Sequence, residues 1–216
     1  MITFDEYLSR IIDTYTTKEY EHELIRAKKD FFGFIGTVHE EDSFFETYMT
    51  AFIEWYIFDR DMTDKDLPPV RLYYRYNFKN FTEEDQKIYN DFTKFRHSLF
   101  VAKKVTASTL VIHNLYEDKK ISIENTFPTA GFNVGDIFDA ILVPFQGQWA
   151  FTKTFFFHPQ EVKSFIIKEV KKTRNLELNV LLKVIMRLRR LRLKMDRYPY
   201  VSPSQIYTPE EFNRSA

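Results

Sequence analysis

The chain has 216 residues, with 31 basic and 31 acidic side chains, five histidines and no cysteine. The lack of cysteine excludes disulfides, thiolate metal sites and cysteine nucleophiles, and with them the disulfide-stapled class of small secreted proteins. Aromatic residues make up 18% of the chain and hydrophobic residues 44%, which is enough apolar surface to form a sizeable core.

The first part of the chain has a helical pattern. Thr3 and Glu6 have the spacing of a capping box, and apolar residues follow them at helical intervals. Ser43 and Glu46 have the same spacing ahead of a run of aromatic residues, and they predict the capped start of a core helix. We therefore predict an acidic, aromatic-rich helical region over residues 1–97.

From about residue 98 the apolar residues recur with a period of two, which indicates strands. Short turn sequences separate five such segments: SLFVAKKV, STLVIHNLY, KKISIENTF, DIFDAILVPF and QWAFTKTFFF. Because parallel strands need long crossover connections, these short turns favour an antiparallel meander. The sequence predicts a five-stranded small antiparallel β-barrel over residues 98–157, and thus an α+β fold.

The helical period returns after the barrel. Two helices are predicted over residues 158–197, and the second is strongly basic. Residues 198–216 contain three prolines and are predicted to form an extended tail. The connection between the helical region and the barrel is short and unlike a linker in composition, so we expect one continuous body.

Charge is segregated along the chain. Residues 1–66 hold sixteen acidic and seven basic side chains, whereas residues 163–197 hold three acidic and twelve basic ones. This balance favours pairing of the basic helix with the acidic helices, within one chain or across a dimer. The alternatives are binding to nucleic acid or to an anionic membrane surface. The candidate residues for binding a partner or nucleic acid are Arg187, Arg189, Arg190, Arg192 and Lys194.

Residues 52–60, FIEWYIFDR, resemble a family of uncharacterised bacterial proteins with an F-x-E-W-x-x-F-D-R-like motif, some of which carry a cysteine-rich SEC-C metal-binding tail. The resemblance spans about residues 40–157 and implies a helical region followed by a β-rich segment, without an established activity. This cysteine-free chain lacks the metal-binding tail. Glu54 lies inside the motif, and we expect it to be either exposed to solvent or paired.

The segment ISIENTFPTAGF, followed by VGDIF, resembles the region of a PilZ domain around its cyclic-di-GMP signature. The resemblance implies a ligand sensor in which Arg71 and Arg75 are the possible ligand-binding residues. Counting back from Gly131, however, Thr126 and Pro128 replace the polar residue and the serine of that signature. This indicates a degenerate PilZ-like barrel that works through protein contacts, and a small-molecule ligand is not expected. Alternatively, the two arginines lie one turn apart on a solvated helix face.

No catalytic motif is present. The five histidines are scattered without metal-binding spacing, and no glycine-rich phosphate loop or nucleophile motif occurs, so neither enzyme activity nor a metal or cofactor is expected. The first residues do not resemble a signal peptide, and no segment approaches the apolar length of a membrane span. The sequence thus predicts a cytoplasmic adaptor or regulatory binding protein that acts through a protein partner or self-association. Nucleic-acid binding and PilZ-like ligand sensing are the alternatives.

Overall fold

A computed structural model describes residues 2–124, 131–174 and 176–214 of the chain. The fold is α+β, as predicted, with a helical N-terminal half, an antiparallel sheet and C-terminal helices. The chain divides into two compact units. Unit 1 comprises Met1–Phe32, Val38–Arg96 and Leu142–Thr154, and unit 2 comprises Gly33–Thr37, His97–Ile141 and Phe155–Ala216.

The helices of the N-terminal half are α1 (Phe4–Tyr15), α2 (Glu21–Ile35), α3 (Phe45–Phe58), α4 (Pro69–Asn77) and α5 (Glu83–Phe92). Short 3₁₀ turns lie at Lys18–Tyr20, Phe78–Asn80 and, further along, Gln160–Val162.

The predicted capping box at the start of α1 is confirmed. The hydroxyl of Thr3 accepts a hydrogen bond from the backbone N–H of Glu6 at 3.3 Å, and the Glu6 carboxylate accepts one from the N–H of Thr3 at 2.6 Å. The corresponding prediction for Ser43 is wrong. Asp42 bends the preceding chain by accepting a hydrogen bond from the N–H of His39 at 2.9 Å, and within residues 2–124 no side chain caps α3.

Aromatic side chains fill the core of unit 1, as the composition predicts. Tyr7 meets Tyr89 edge to face, with 5.4 Å between the ring centroids, and Phe31 lies 5.8 Å from Phe52. All four residues are at most 2% exposed. Contacts of this kind add to the stabilisation that the burial of apolar area already gives.

Within the described residues, six strands form one curled, half-barrel sheet in the order β3-β2-β1-β4-β5, and β6 also pairs with β4. They are β1 (Arg96–Val105), β2 (Thr109–Asn114), β3 (Lys119–Glu124), β4 (Ile137–Phe145), β5 (Gln148–Phe151) and β6 (Phe156–His158). The pairs β1–β2, β2–β3, β4–β5 and β4–β6 are antiparallel.

The last predicted strand is divided into β5 and β6. Between them, the Glu54 carboxylate accepts hydrogen bonds from the backbone N–H groups of Lys153 at 2.6 Å and Thr154 at 3.2 Å. These two donors are therefore used by a side chain from α3 instead of by a neighbouring strand.

The C-terminal helices are α6 (Lys163–Thr173), α7 (Leu178–Arg197), α8 (Pro203–Ile206) and α9 (Pro209–Asn213). The tail thus contains two short helices where the sequence indicated extended chain. Their formation follows from burial, because Ile206, Tyr207 and Phe212 lie in the core of unit 2. In the part of the chain that the structure describes, no helix has both the length and the apolar character needed to cross a membrane.

Candidate nucleic-acid interface

Helix α7 has one buried face and one basic face. Val184, Leu188 and Leu191 are at most 3% exposed and belong to the core of unit 2. On the adjacent side of the helix, about 100° from these residues, five basic residues recur at intervals of three or four, which places them in one row along the helix. We call this row the basic stripe; it is formed by Lys183, Arg187, Arg190, Lys194 and Arg197. At 1.5 Å per residue, the stripe is about 21 Å long.

Neutral groups hold three of the stripe's guanidinium groups. Arg187 lies over the ring of Phe212, 5.3 Å from its centroid. Arg190 donates hydrogen bonds to the backbone carbonyl oxygens of Glu211 at 2.8 Å and Phe212 at 3.3 Å, and Arg197 donates one to the carbonyl oxygen of Thr37. An aromatic ring and a carbonyl carry no net charge, so these contacts orient the arginines without neutralising them.

Lys194 has a carboxylate partner. Its ammonium group lies 2.8 Å from Oε2 of Glu211, and Arg214 lies 3.6 Å from Oε1 of the same carboxylate. The hydrogen bond from Lys194 lowers the pKa of Glu211, so this side chain is ionised at neutral pH. Burial and, to a smaller extent, the positive charge of Arg187 lower the pKa of Arg190.

Helix α9 packs against α7, and a cleft opens toward each end of the basic stripe. The cleft toward the N-terminal end of α7 has a volume of about 260 Å³ and is lined in part by Lys172, Lys183 and Arg187. The other cleft has a volume of about 280 Å³. Its apolar floor is formed by Ile35, Leu191 and Leu193. Around this floor lie one carboxylate, Glu211, and four cations: Arg190, Lys194, Arg197 and Arg214. Tyr198 also lines the cleft. This second cleft is called the basic cleft below.

The structure places Arg189 away from the basic stripe. Its side chain is 1% exposed and lies 2.6 Å from Oδ1 of Asp139, which is fully buried. Nη2 of Arg189 also lies 2.9 Å from Nε2 of His97. Arg189 is thus out of reach of a partner on the surface, because its position on the helix faces the core of unit 2.

Arg192 also lies outside the stripe. It donates a hydrogen bond to the backbone carbonyl oxygen of Phe157 at 3.0 Å and pairs with Asp196 at 2.8 Å. Carboxylates of unit 2 itself therefore pair with three of the candidate residues: Asp139 with Arg189, Asp196 with Arg192, and Glu211 with Lys194.

Asp139 lies at the centre of a buried polar cluster. Burial alone would raise its pKa, but the charge of Arg189 together with the hydrogen bonds from His158 and His97 outweighs that effect and holds the pKa of Asp139 far below its ordinary value of 3.8. Nε2 of His158 lies 3.6 Å from Oδ2 of Asp139, and Nδ1 of His158 is 2.9 Å from the hydroxyl of Tyr207. This cluster ties α7 and the segment around α8 to the sheet.

Arg71 and Arg75 are exposed on α4, one turn apart. The guanidinium group of Arg71 lies 6.0 Å from the ring centroid of Phe95. This arrangement agrees with the alternative of a solvated helix face. Thr126 and Pro128, which carry the comparison with the PilZ signature, lie outside the described residues.

Glu54 is paired, in line with one of the two expectations. Glu54 is 4% exposed, and its carboxylate accepts a hydrogen bond from the backbone between β5 and β6. Across the described residues, no group of three or more histidine and carboxylate side chains is arranged to hold a metal ion.

The candidate residues chosen from the sequence include Arg187, Arg190 and Lys194 of the stripe. Lys183 and Arg197 are not among them, although their helical spacing of three or four residues places them in the same row. The candidates also omit Arg214 and Glu211. These two lie in the tail, and the sequence carries no signal that brings them to α7.

Searches among curated proteins and solved structures find no match to the chain. A family model described as a family of unknown function (DUF7986) matches residues 6–178. The match runs from α1 to the first residue of α7, so the basic stripe follows the matched residues. Because the match covers well over half of its length, the chain belongs to the DUF7986 family of unknown function.

Proposed function

We propose that this protein is a non-enzymatic binding protein that holds nucleic acid on the basic stripe. The observation that carries the proposal is the row of cations on α7, because its contacts with the described residues leave most of the positive charge unbalanced. Lys183 and Arg197 are exposed, and Arg187 and Arg190 are held by a ring and by carbonyl oxygens.

The dimensions of the stripe suit a phosphate backbone. One strand of a duplex carries a phosphate about every 3.4 Å, so about six phosphates span the roughly 21 Å of the stripe. Arg214 and Lys172 add positive charge beside the two clefts. Lysine and arginine side chains that neutralise phosphates release counterions, and this release is a principal source of affinity for nucleic acid.

The structure offers less support for pairing between the basic helix and the acidic helices. Three of the five candidate residues already have carboxylate partners within unit 2, and the exposed end residues of the stripe face solvent. An adaptor that binds an acidic protein surface would use the same stripe, and the experiment below separates that case.

The two resemblances add no activity to this proposal. The motif in residues 52–60 provides core aromatics and the paired Glu54. A PilZ-like sensor would use Arg71 and Arg75, which are exposed on α4 and do not belong to the basic stripe.

Fluorescence anisotropy with a labelled 20-nucleotide single strand and a 20-base-pair duplex, across a salt series, tests the proposal. The stripe variant Lys183→Gln/Arg197→Gln removes two exposed cations, and Arg71→Gln/Arg75→Gln is the matched control. We expect the wild type and the control to show the same steep salt dependence. The slope of log K against log salt should decrease by about 1.4–1.8 in the stripe variant, since each phosphate contact contributes about 0.7–0.9.

Equal affinities for the stripe variant and the control would refute the proposal. So would an absence of binding by the wild type at 50 mM salt, and that result would direct attention to an acidic protein partner.

A further inference from the structure

Two exposed tyrosines follow the C-terminal end of the basic stripe. Tyr198 is 43% exposed and Tyr200 is 82% exposed. Their rings meet edge to face with 6.2 Å between the centroids. The ring of Tyr200 contributes little to the packing of the fold, because most of its surface is in contact with solvent.

Tyr198 belongs to the same surface as the cations. It follows Arg197 directly and lines the basic cleft together with Arg190 and Lys194. The floor of that cleft is apolar, with Leu191 and Leu193 at 1% and 2% exposure. An apolar floor, an exposed aromatic ring and several cations thus occur within one cleft.

We propose that the basic stripe binds single-stranded nucleic acid in preference to a duplex, with unpaired bases stacking on Tyr198 and Tyr200. This inference rests on the proposed function. Bases in a duplex are stacked on one another, so their faces are not available to a side chain, whereas a single strand offers the face of every base. A positively charged groove lined by aromatic side chains is the typical arrangement for binding single strands with little sequence preference.

The basic stripe and the two tyrosines would contact different parts of a nucleic acid. The stripe neutralises the sugar–phosphate backbone, which a single strand and a duplex share. The tyrosine rings add a contact that only unpaired bases can make. The cations therefore set the affinity for both forms, and the tyrosines set the preference between them.

The test compares Tyr198→Ala, Tyr200→Ala and the control Tyr76→Ala, whose tyrosine is 53% exposed on α4. The probes are a labelled 20-nucleotide oligothymidine and a labelled 20-base-pair DNA duplex. Each of the first two substitutions should weaken binding to the single strand by about fivefold or more, the usual loss for one base–aromatic stack. Binding to the duplex should change by less than about twofold, and Tyr76→Ala should change neither affinity.

Tyr200→Phe keeps the ring and should retain the affinity for the single strand. Because Tyr200 is exposed, its replacement leaves the core intact, which circular dichroism checks. The inference is overturned if the wild type binds the duplex as tightly as the single strand, or if both tyrosine variants behave like Tyr76→Ala. If Lys183→Gln/Arg197→Gln also fails to weaken either probe, the proposed function fails as well; if it weakens both, only the preference for single strands is wrong.

Discussion

The buried pair of Asp139 and Arg189 allows a quantitative test of the core of unit 2. Asp139→Asn would leave a guanidinium group in a site where both side chains are at most 1% exposed, and arginine cannot lose its charge by giving up a proton. Removing one partner of a buried ion pair costs about 3–5 kcal/mol, because the remaining charge has lost its compensation. For a chain of this size, 1 kcal/mol corresponds to about 2–4 °C in melting temperature, so we expect a decrease of about 6–20 °C.

Thermal unfolding followed by far-ultraviolet circular dichroism at pH 7 measures this decrease. The double variant Asp139→Leu/Arg189→Met removes both charges and should recover most of the loss, since an apolar pair of similar volume often replaces a buried ion pair at little cost. A decrease of less than about 2 °C for Asp139→Asn would contradict the reasoning, because it would mean that Arg189 reaches solvent or another counter-charge.

The same pair predicts how stability depends on pH. The pKa of Asp139 is depressed in the folded protein, so its contribution is complete above its ordinary pKa of 3.8 and is lost as the pH falls further toward the folded value. The groups that face Asp139 are Arg189, His97 and His158. The difference in melting temperature between the wild type and Asp139→Asn should therefore become smaller below about pH 4.

Two further predictions concern carboxylates with well-defined partners. Glu211→Gln frees Lys194 to contact a phosphate. The affinity for nucleic acid at 0.15 M salt should therefore rise about four- to fivefold, and its dependence on salt should become steeper. The control Glu210→Gln changes an exposed residue of the same helix and should leave the salt dependence unchanged. Equal slopes in the anisotropy series would contradict this. Glu54→Gln weakens the charge-assisted hydrogen bonds from the backbone N–H groups of Lys153 and Thr154. It should lower the free energy of unfolding by about 1–3 kcal/mol, which corresponds to about 2–12 °C in melting temperature. The exposed Glu46→Gln is the control and should leave the melting temperature unchanged. A melting temperature like that of the control would show that those backbone groups have other acceptors.

Local patterns predicted the elements whose causes are local. The capping box at Thr3 needs only residues within one helical turn, and the strand period identified the segments of the sheet. The failure at Ser43 is also local, since the neighbouring Asp42 forms the turn there. The division between β5 and β6 could not be found in this way, because it depends on Glu54, about a hundred positions away in the chain.

The same distinction applies to the candidate site. Arg187 and Arg189 look alike in the sequence, and helical spacing puts them on different faces of α7. Which face is buried depends on Asp139, 50 positions earlier in the chain. The sequence therefore predicted a basic helix, but identifying the basic stripe required the position of α7 against the sheet.

The short C-terminal helices affect how this protein is made. Ile206, Tyr207 and Phe212 share a core with Leu99 and Val101, which the ribosome adds more than a hundred residues earlier. The core of unit 2 is incomplete until the segment around α8 and α9 has emerged, so the apolar face of its first strand stays uncovered through the second half of synthesis. Chains that stop before α8 should then be prone to aggregation and to recognition by chaperones.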